Sequence, residues 1–141
     1  MRRSNGASRF EIEPGIALLW LAYARDVPVG DPAEAEDRYR DMDPRSVASE
    51  FGLRWPLSDP ELEVGYWAGV AQYARQQRDA AIVKAFQLAA GVRPPAPPHP
   101  TRTGIIYASG LTRRAVYFKV QAAARAAPGS DILGGAALDD T

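Results

Sequence analysis

The side chains best suited to chemistry in this sequence are the arginines of its later half. On a helical wheel from Leu111, counting about 100° per residue, Arg113, Arg114, Tyr117, Gln121 and Arg125 share an arc of about 120°. Leu111, Ala115, Phe118, Ala122 and Ala126 occupy another side. The spacing therefore predicts a basic, aromatic-bearing face for water and an apolar face for the core. A phosphate backbone suits such a face, because arginine gives bidentate contacts and tyrosine can stack on an exposed base. Arg75, Arg78 and Lys119 complete the candidate nucleic-acid-binding set, and Arg93 and Arg102, which flank a proline spacer, extend the same surface. The plainer alternative is a solvated face, or one that pairs with the acidic first half of the same molecule. Arg78 lies within an apolar stripe, between Ala74 and Ala81, where a charge needs a carboxylate or an exit to water. It marks the place where a long helix leaves one neighbour and meets another, in preference to an anion site shared with Arg75.

Charge distribution carries most of the information. The 141 residues have zero net charge, but residues 1–63 hold 13 acids and 8 bases. Residues 64–130 hold 9 bases and one acid, Asp79, and residues 131–141 hold 3 acids. Such asymmetry points to a polyanionic or acidic partner for the middle of the chain.

Other chemistries find little support. With no cysteine, disulfides, thiolate nucleophiles and Cys-based metal sites are absent. The single histidine, His99, stands inside the proline spacer. Asp41 with Asp43, and Asp139 with Asp140, offer oxygens that hard cations favour, but helix ends and a loose tail account for them. No phosphate-loop, dinucleotide-binding or nucleophile-elbow pattern occurs, so neither a metal nor a cofactor is expected. Carboxylates before Glu63 are plentiful, yet no pair is set apart for acid–base work.

The elements that must position these residues are helical. Asp59 to Gly91 predicts one helix of about eight turns. Asp59 is its N-cap, Pro60 its first residue, Gly91 its stop, and Pro94 and Pro95 forbid continuation. Trp67, Val70, Ala71, Ala74, Ala81, Ile82, Ala85, Leu88 and Ala89 fall on one side of it. Gly65 and Gly69, four apart, predict a close crossing with the first helix. That first helix starts at Pro14 and runs to about Arg25, apolar nearly all round and hence central. Asp31-Pro32 opens a short charged helix anchored by Tyr39 and Met42. Asp43-Pro44 opens a third, reaching about Leu53. Ile105, Ile106 and Tyr107 read as an apolar plug rather than a strand, and Ser109 or Thr112 caps a last helix to about Ala126.

The run Arg45-Ser46-Val47-Ala48-Ser49-Glu50-Phe51-Gly52-Leu53 resembles the first helix and turn of a helix-turn-helix DNA-binding unit. That resemblance implies a following helix in the major groove. Here the following helix opens with Asp59, Glu61 and Glu63, which repel phosphates. The resemblance covers only this run.

The expected fold is all-α, with four to five helices packed around one long central helix at about 59–91. Trp20, Trp55, Trp67, Phe51, Phe86 and Phe118 are expected in its core. Residues 1–12 form a flexible arm, 13–127 one helical domain containing the 93–103 spacer, and 128–141 a flexible acidic tail. The longest apolar run, Ile16 to Ala24, is well short of the roughly 20 residues of a membrane span, so a soluble, cytoplasmic protein is expected. The functional expectation is a non-catalytic subunit of a larger assembly that contacts a nucleic-acid backbone, RNA in a ribonucleoprotein by analogy with small helical subunits of RNA-guided complexes. The alternatives are a protein-only adaptor or assembly factor, and an enzyme with a composite site.

Overall fold

A computed structural model of the chain describes residues 11–91 and 100–126. Most of the expected arm, most of the proline spacer with Arg93 and His99, and the acidic tail lie outside the described residues. Among the described residues all regular structure is helical: α1 (Pro14–Ala24), α2 (Pro32–Tyr39), α3 (Pro44–Phe51), α4 (Asp59–Gly91), α5 (Arg102–Ser109) and α6 (Arg113–Ala126). The all-α fold with one long helix is as expected. The chain divides into two compact units, Met1–Ala74 and Arg75–Thr141, and the boundary falls inside α4.

In the first unit α1 is buried on almost every side, with Ala17, Leu18 and Leu19 fully inside. Val47 and Ala48 from α3, Leu62 from α4 and the ring of Tyr39 from α2 pack against it. The glycine pair decides which side of α4 faces α1. A Cβ on Gly69 would overlap the Trp20 carbonyl, and one on Gly65 would meet the Leu21 side chain at 3.0 Å. With those glycines inward, Trp67 lies about 200° from Gly65 on the wheel and stays 55% exposed. The expectation that Trp67 joins the core is thus corrected, while Trp55 and Phe51 are partly buried against this cluster.

Helix ends follow local chemistry with one shift. Ser58, not Asp59, caps α4. The Glu61 backbone N–H donates to Ser58 Oγ at 3.3 Å, and the Ser58 N–H donates back to Glu61 Oε1 at 2.9 Å, a reciprocal capping box. That backbone donor and then the Arg54 guanidinium hold the Glu61 carboxyl below its usual range. Asp31 and Asp43 stand at the N-cap positions of α2 and α3 without a side-chain cap bond, so Pro32 and Pro44 start those helices by fixed φ alone. Asp26 ends α1 at φ 63°, and its carboxylate accepts from Gln72 Nε2 at 3.2 Å.

In the second unit a compact apolar cluster joins three helices: Ile82 and Phe86 from α4, Ile105 from α5, and Val116, Tyr117 and Val120 from α6. Phe86 meets Tyr117 edge to face, ring centroids 5.8 Å apart. The expected apolar plug at Ile105 is a helix. Thr101 Oγ1 accepts from the Gly104 N–H at 3.0 Å to start it, and Gly110, at φ 73°, stops it. Thr112 caps α6, accepting from the Ala115 N–H at 3.1 Å. Between the two helices Ser109 Oγ donates to the Ile106 carbonyl at 2.7 Å and accepts from the Leu111 N–H at 3.0 Å, which fixes the turn.

Candidate nucleic-acid interface

All seven residues singled out for phosphate and base contact belong to the second unit, but the structure sorts them into different roles. Its described residues carry Arg75, Arg78, Lys84, Arg102, Arg113, Arg114, Lys119 and Arg125 against one acid, Asp79. Asp79 is engaged twice. Lys119 Nζ sits 3.1 Å from its Oδ2, and Arg78 lies 3.0 Å from its Oδ1. The side chains of all three are about one-third exposed. Burial opposes ionisation of Asp79, but the hydrogen bonds and charges of Lys119 and Arg78 outweigh it and hold the carboxyl below its usual range. Lys119 and Arg78 are therefore tied within the fold, and the expectation that both are free cations is corrected. Arg78 matches the plainer sequence reading, standing just past the unit boundary at Ala74 and Arg75.

Tyr117 is also corrected. It is 8% exposed and packs on Phe86, so it cannot offer a face to a base. Phe118, expected in the core, is 67% exposed instead. The phase of α6 is set by Val116 and Val120, both fully buried, whose branched side chains fill the space against α4 and α5 better than the alanines on the opposite side. That pair was the available sequence signal. The aromatic pair Tyr117–Phe118 offered two phases, and counting alanines as core chose the wrong one.

The remaining cations are where a ligand could reach them. Arg75, Arg113, Arg114 and Arg125 are exposed and form no ion pair with another described residue. On α6, taking 100° per residue, Arg114, Phe118 and Arg125 fall within an arc of about 40°, opposite Val116 and Val120. Arg113 starts the helix on a different side. Lys84, not singled out from the sequence, is exposed on α4. Arg102 lies over the Phe86 ring, its guanidinium carbon 5.9 Å from the centroid.

Chemically the arrangement can attract anions and present the exposed rings of Phe118 and Tyr107. Among the described residues, no group of three or more His, Cys, Asp or Glu side chains is placed to hold a metal ion. No helix of the described residues is long and apolar enough to cross a membrane. Comparison with protein-family models, with curated proteins and with solved structures finds no match for the chain.

Proposed function

We propose that the chain is a non-catalytic, cytoplasmic helical subunit of a larger assembly that holds a nucleic-acid backbone on its second unit. The observation that carries this reading is the imbalance of that unit. Its one described acid is used by Arg78 and Lys119, while Arg75, Arg113, Arg114 and Arg125 stand exposed with no described counter-charge. Free arginines bind phosphate by bidentate contact and release condensed counter-ions. Such binding is blind to base sequence and weakens steeply with salt.

The test is anisotropy of labelled RNA and DNA oligonucleotides, single- and double-stranded, at two salt concentrations. Arg114→Glu with Arg125→Glu should abolish binding and leave helicity intact. Unchanged affinity in that double variant rejects the proposal. A second reading, a protein-only adaptor, is favoured by a different observation: Val64 is 70% and Trp67 55% exposed on α4 in the first unit, apolar surface of the kind protein partners cover. Purified protein that carries no nucleic acid and binds none would favour it.

A further inference from the structure

We propose that Phe118 is a stacking platform for an unpaired base, so that the polyanion held by α6 is single-stranded nucleic acid. The inference rests on the reading of the free arginines as backbone contacts and adds the strandedness of the ligand.

Several large apolar side chains are exposed, and their helical neighbours separate them. Trp67 has Glu63 one turn before it, a carboxylate that repels phosphate. Tyr107, 88% exposed, has Thr103 and Gly104 one turn before it on α5, and no cation there. Leu88 has Lys84 one turn before it but offers no aromatic face. Phe118 combines an exposed ring with arginines on its own stripe, Arg114 one turn before and Arg125 two turns after. At about 1.5 Å rise per residue, the α-carbons of those arginines stand about 6 Å and about 10 Å from that of Phe118 along the axis. No acid occurs anywhere in Arg113–Ala126, so nothing on the helix itself opposes a phosphate.

A ring between two phosphate-binding groups matches a strand whose bases are turned outward from its backbone. In a duplex the base faces are already stacked and the ring finds only edges and sugars. An unpaired base instead stacks on the ring while its flanking phosphates reach Arg114 and Arg125. Phenylalanine carries no hydrogen-bonding atom, so the platform accepts any base.

The experiment compares the full chain with Phe118→Ala and Phe118→Trp against three probes of equal charge: a single-stranded oligonucleotide, the same strand with abasic sites, and a duplex. Phe118→Ala should weaken binding of the intact single strand about tenfold or more while changing abasic-strand and duplex affinity less than about twofold. Its salt dependence should stay unchanged, and Phe118→Trp should restore the affinity. Equal single-strand affinity for wild type and Phe118→Ala overturns the stacking proposal and leaves the backbone reading standing. Duplex bound as tightly as single strand by the wild type overturns it in the same way. A wild-type chain that binds none of the probes overturns both, and Phe118 is then surface for a protein partner.

Discussion

The two units carry opposite balances of charge. In the first, several polar side chains bond to one another, while acids such as Asp41, Asp43 and Asp59 stand exposed. The Trp20 indole N–H donates to Glu36 at 2.6 Å, and the Tyr39 hydroxyl donates to Glu50 at 2.5 Å while accepting from Arg38 at 2.8 Å. Arg54 reaches Glu61 at 3.0 Å, and Gln72 bridges the Tyr23 carbonyl and the Asp26 carboxylate. In the second, one aspartate serves two cations and four arginines have no described counter-charge. A net charge of zero thus conceals an acid-rich half that holds several side-chain hydrogen bonds and a base-rich half with one described acid.

The largest expected effects test whether each unit stands on the contacts assigned to it. Phe86→Ala should cost about 3–5 kcal/mol in chemical denaturation, because Phe86 is 1% exposed and its loss opens a cavity beside Tyr117. Phe118→Ala should cost less than about 0.5 kcal/mol, since its ring is mostly in water. Similar losses for both would mean that the phase of α6 is wrong. In the first unit Gly69→Ala should cost about 2–3 kcal/mol, because the new methyl meets the Trp20 backbone, which cannot swing aside as a side-chain end can. A neutral result there would remove the close crossing of α1 and α4.

Those variants also separate what was legible in the sequence from what was not. Gly65 and Gly69 announced a close crossing, and the Asp-Pro pairs announced α2 and α3, because backbone constraints act locally. The all-apolar run Ile16–Ala24 announced a central helix for another reason, since a helix apolar on every side must be surrounded. The faces of α4 and α6 were less legible. On α4 the side with Trp67, Leu88 and the alanines is apolar in sequence, yet Leu88 is 55% exposed, as Trp67 is. Burial there follows shape, with glycines against α1 and Ile82 and Phe86 against α5 and α6, and shape depends on the partner helix. The candidate site suffered similarly. Arginine content could be counted in advance, but not that Lys119 would meet Asp79, which is 40 residues away in sequence.

Smaller effects probe the polar networks. Tyr39→Phe should cost about 1–2 kcal/mol, since it leaves Glu50 and Arg38 without their shared hydroxyl. Burial first, and then the hydrogen bond and charge of Glu50, raise the Tyr39 pKa against the opposing pull of Arg38. A raised pKa means that the folded chain prefers the neutral phenol. The contribution is complete below the unfolded value of about 10 and is lost as pH rises through the folded one. Tyr39→Phe should therefore flatten the alkaline limb of a stability–pH profile. Asp79→Asn should cost only about 0.5–1 kcal/mol, because the pairs are one-third exposed and screened. Its depressed carboxyl contributes above the unfolded value of about 4, and that contribution is lost as pH falls through the folded value below it. The same variant releases Arg78 and Lys119, so the salt dependence of oligonucleotide binding should steepen by about 1.4 in the log–log slope.

The smallest expected change in stability is the most discriminating. Arg113 and Arg114 occupy the first turn of α6, where no acid is present and the helix dipole is positive. Cations there oppose the dipole. Arg113→Glu with Arg114→Glu should stabilise the fold by about 0.5–1 kcal/mol, read as a melting temperature a few degrees higher. Oligonucleotide binding should be lost in the same protein. If these arginines served the fold, both quantities would fall together. A gain in one with loss of the other marks side chains kept at a cost to their own helix, as a binding surface requires. A lower melting temperature would place them among the contacts that hold the second unit together, and the contrast between the two units would fail.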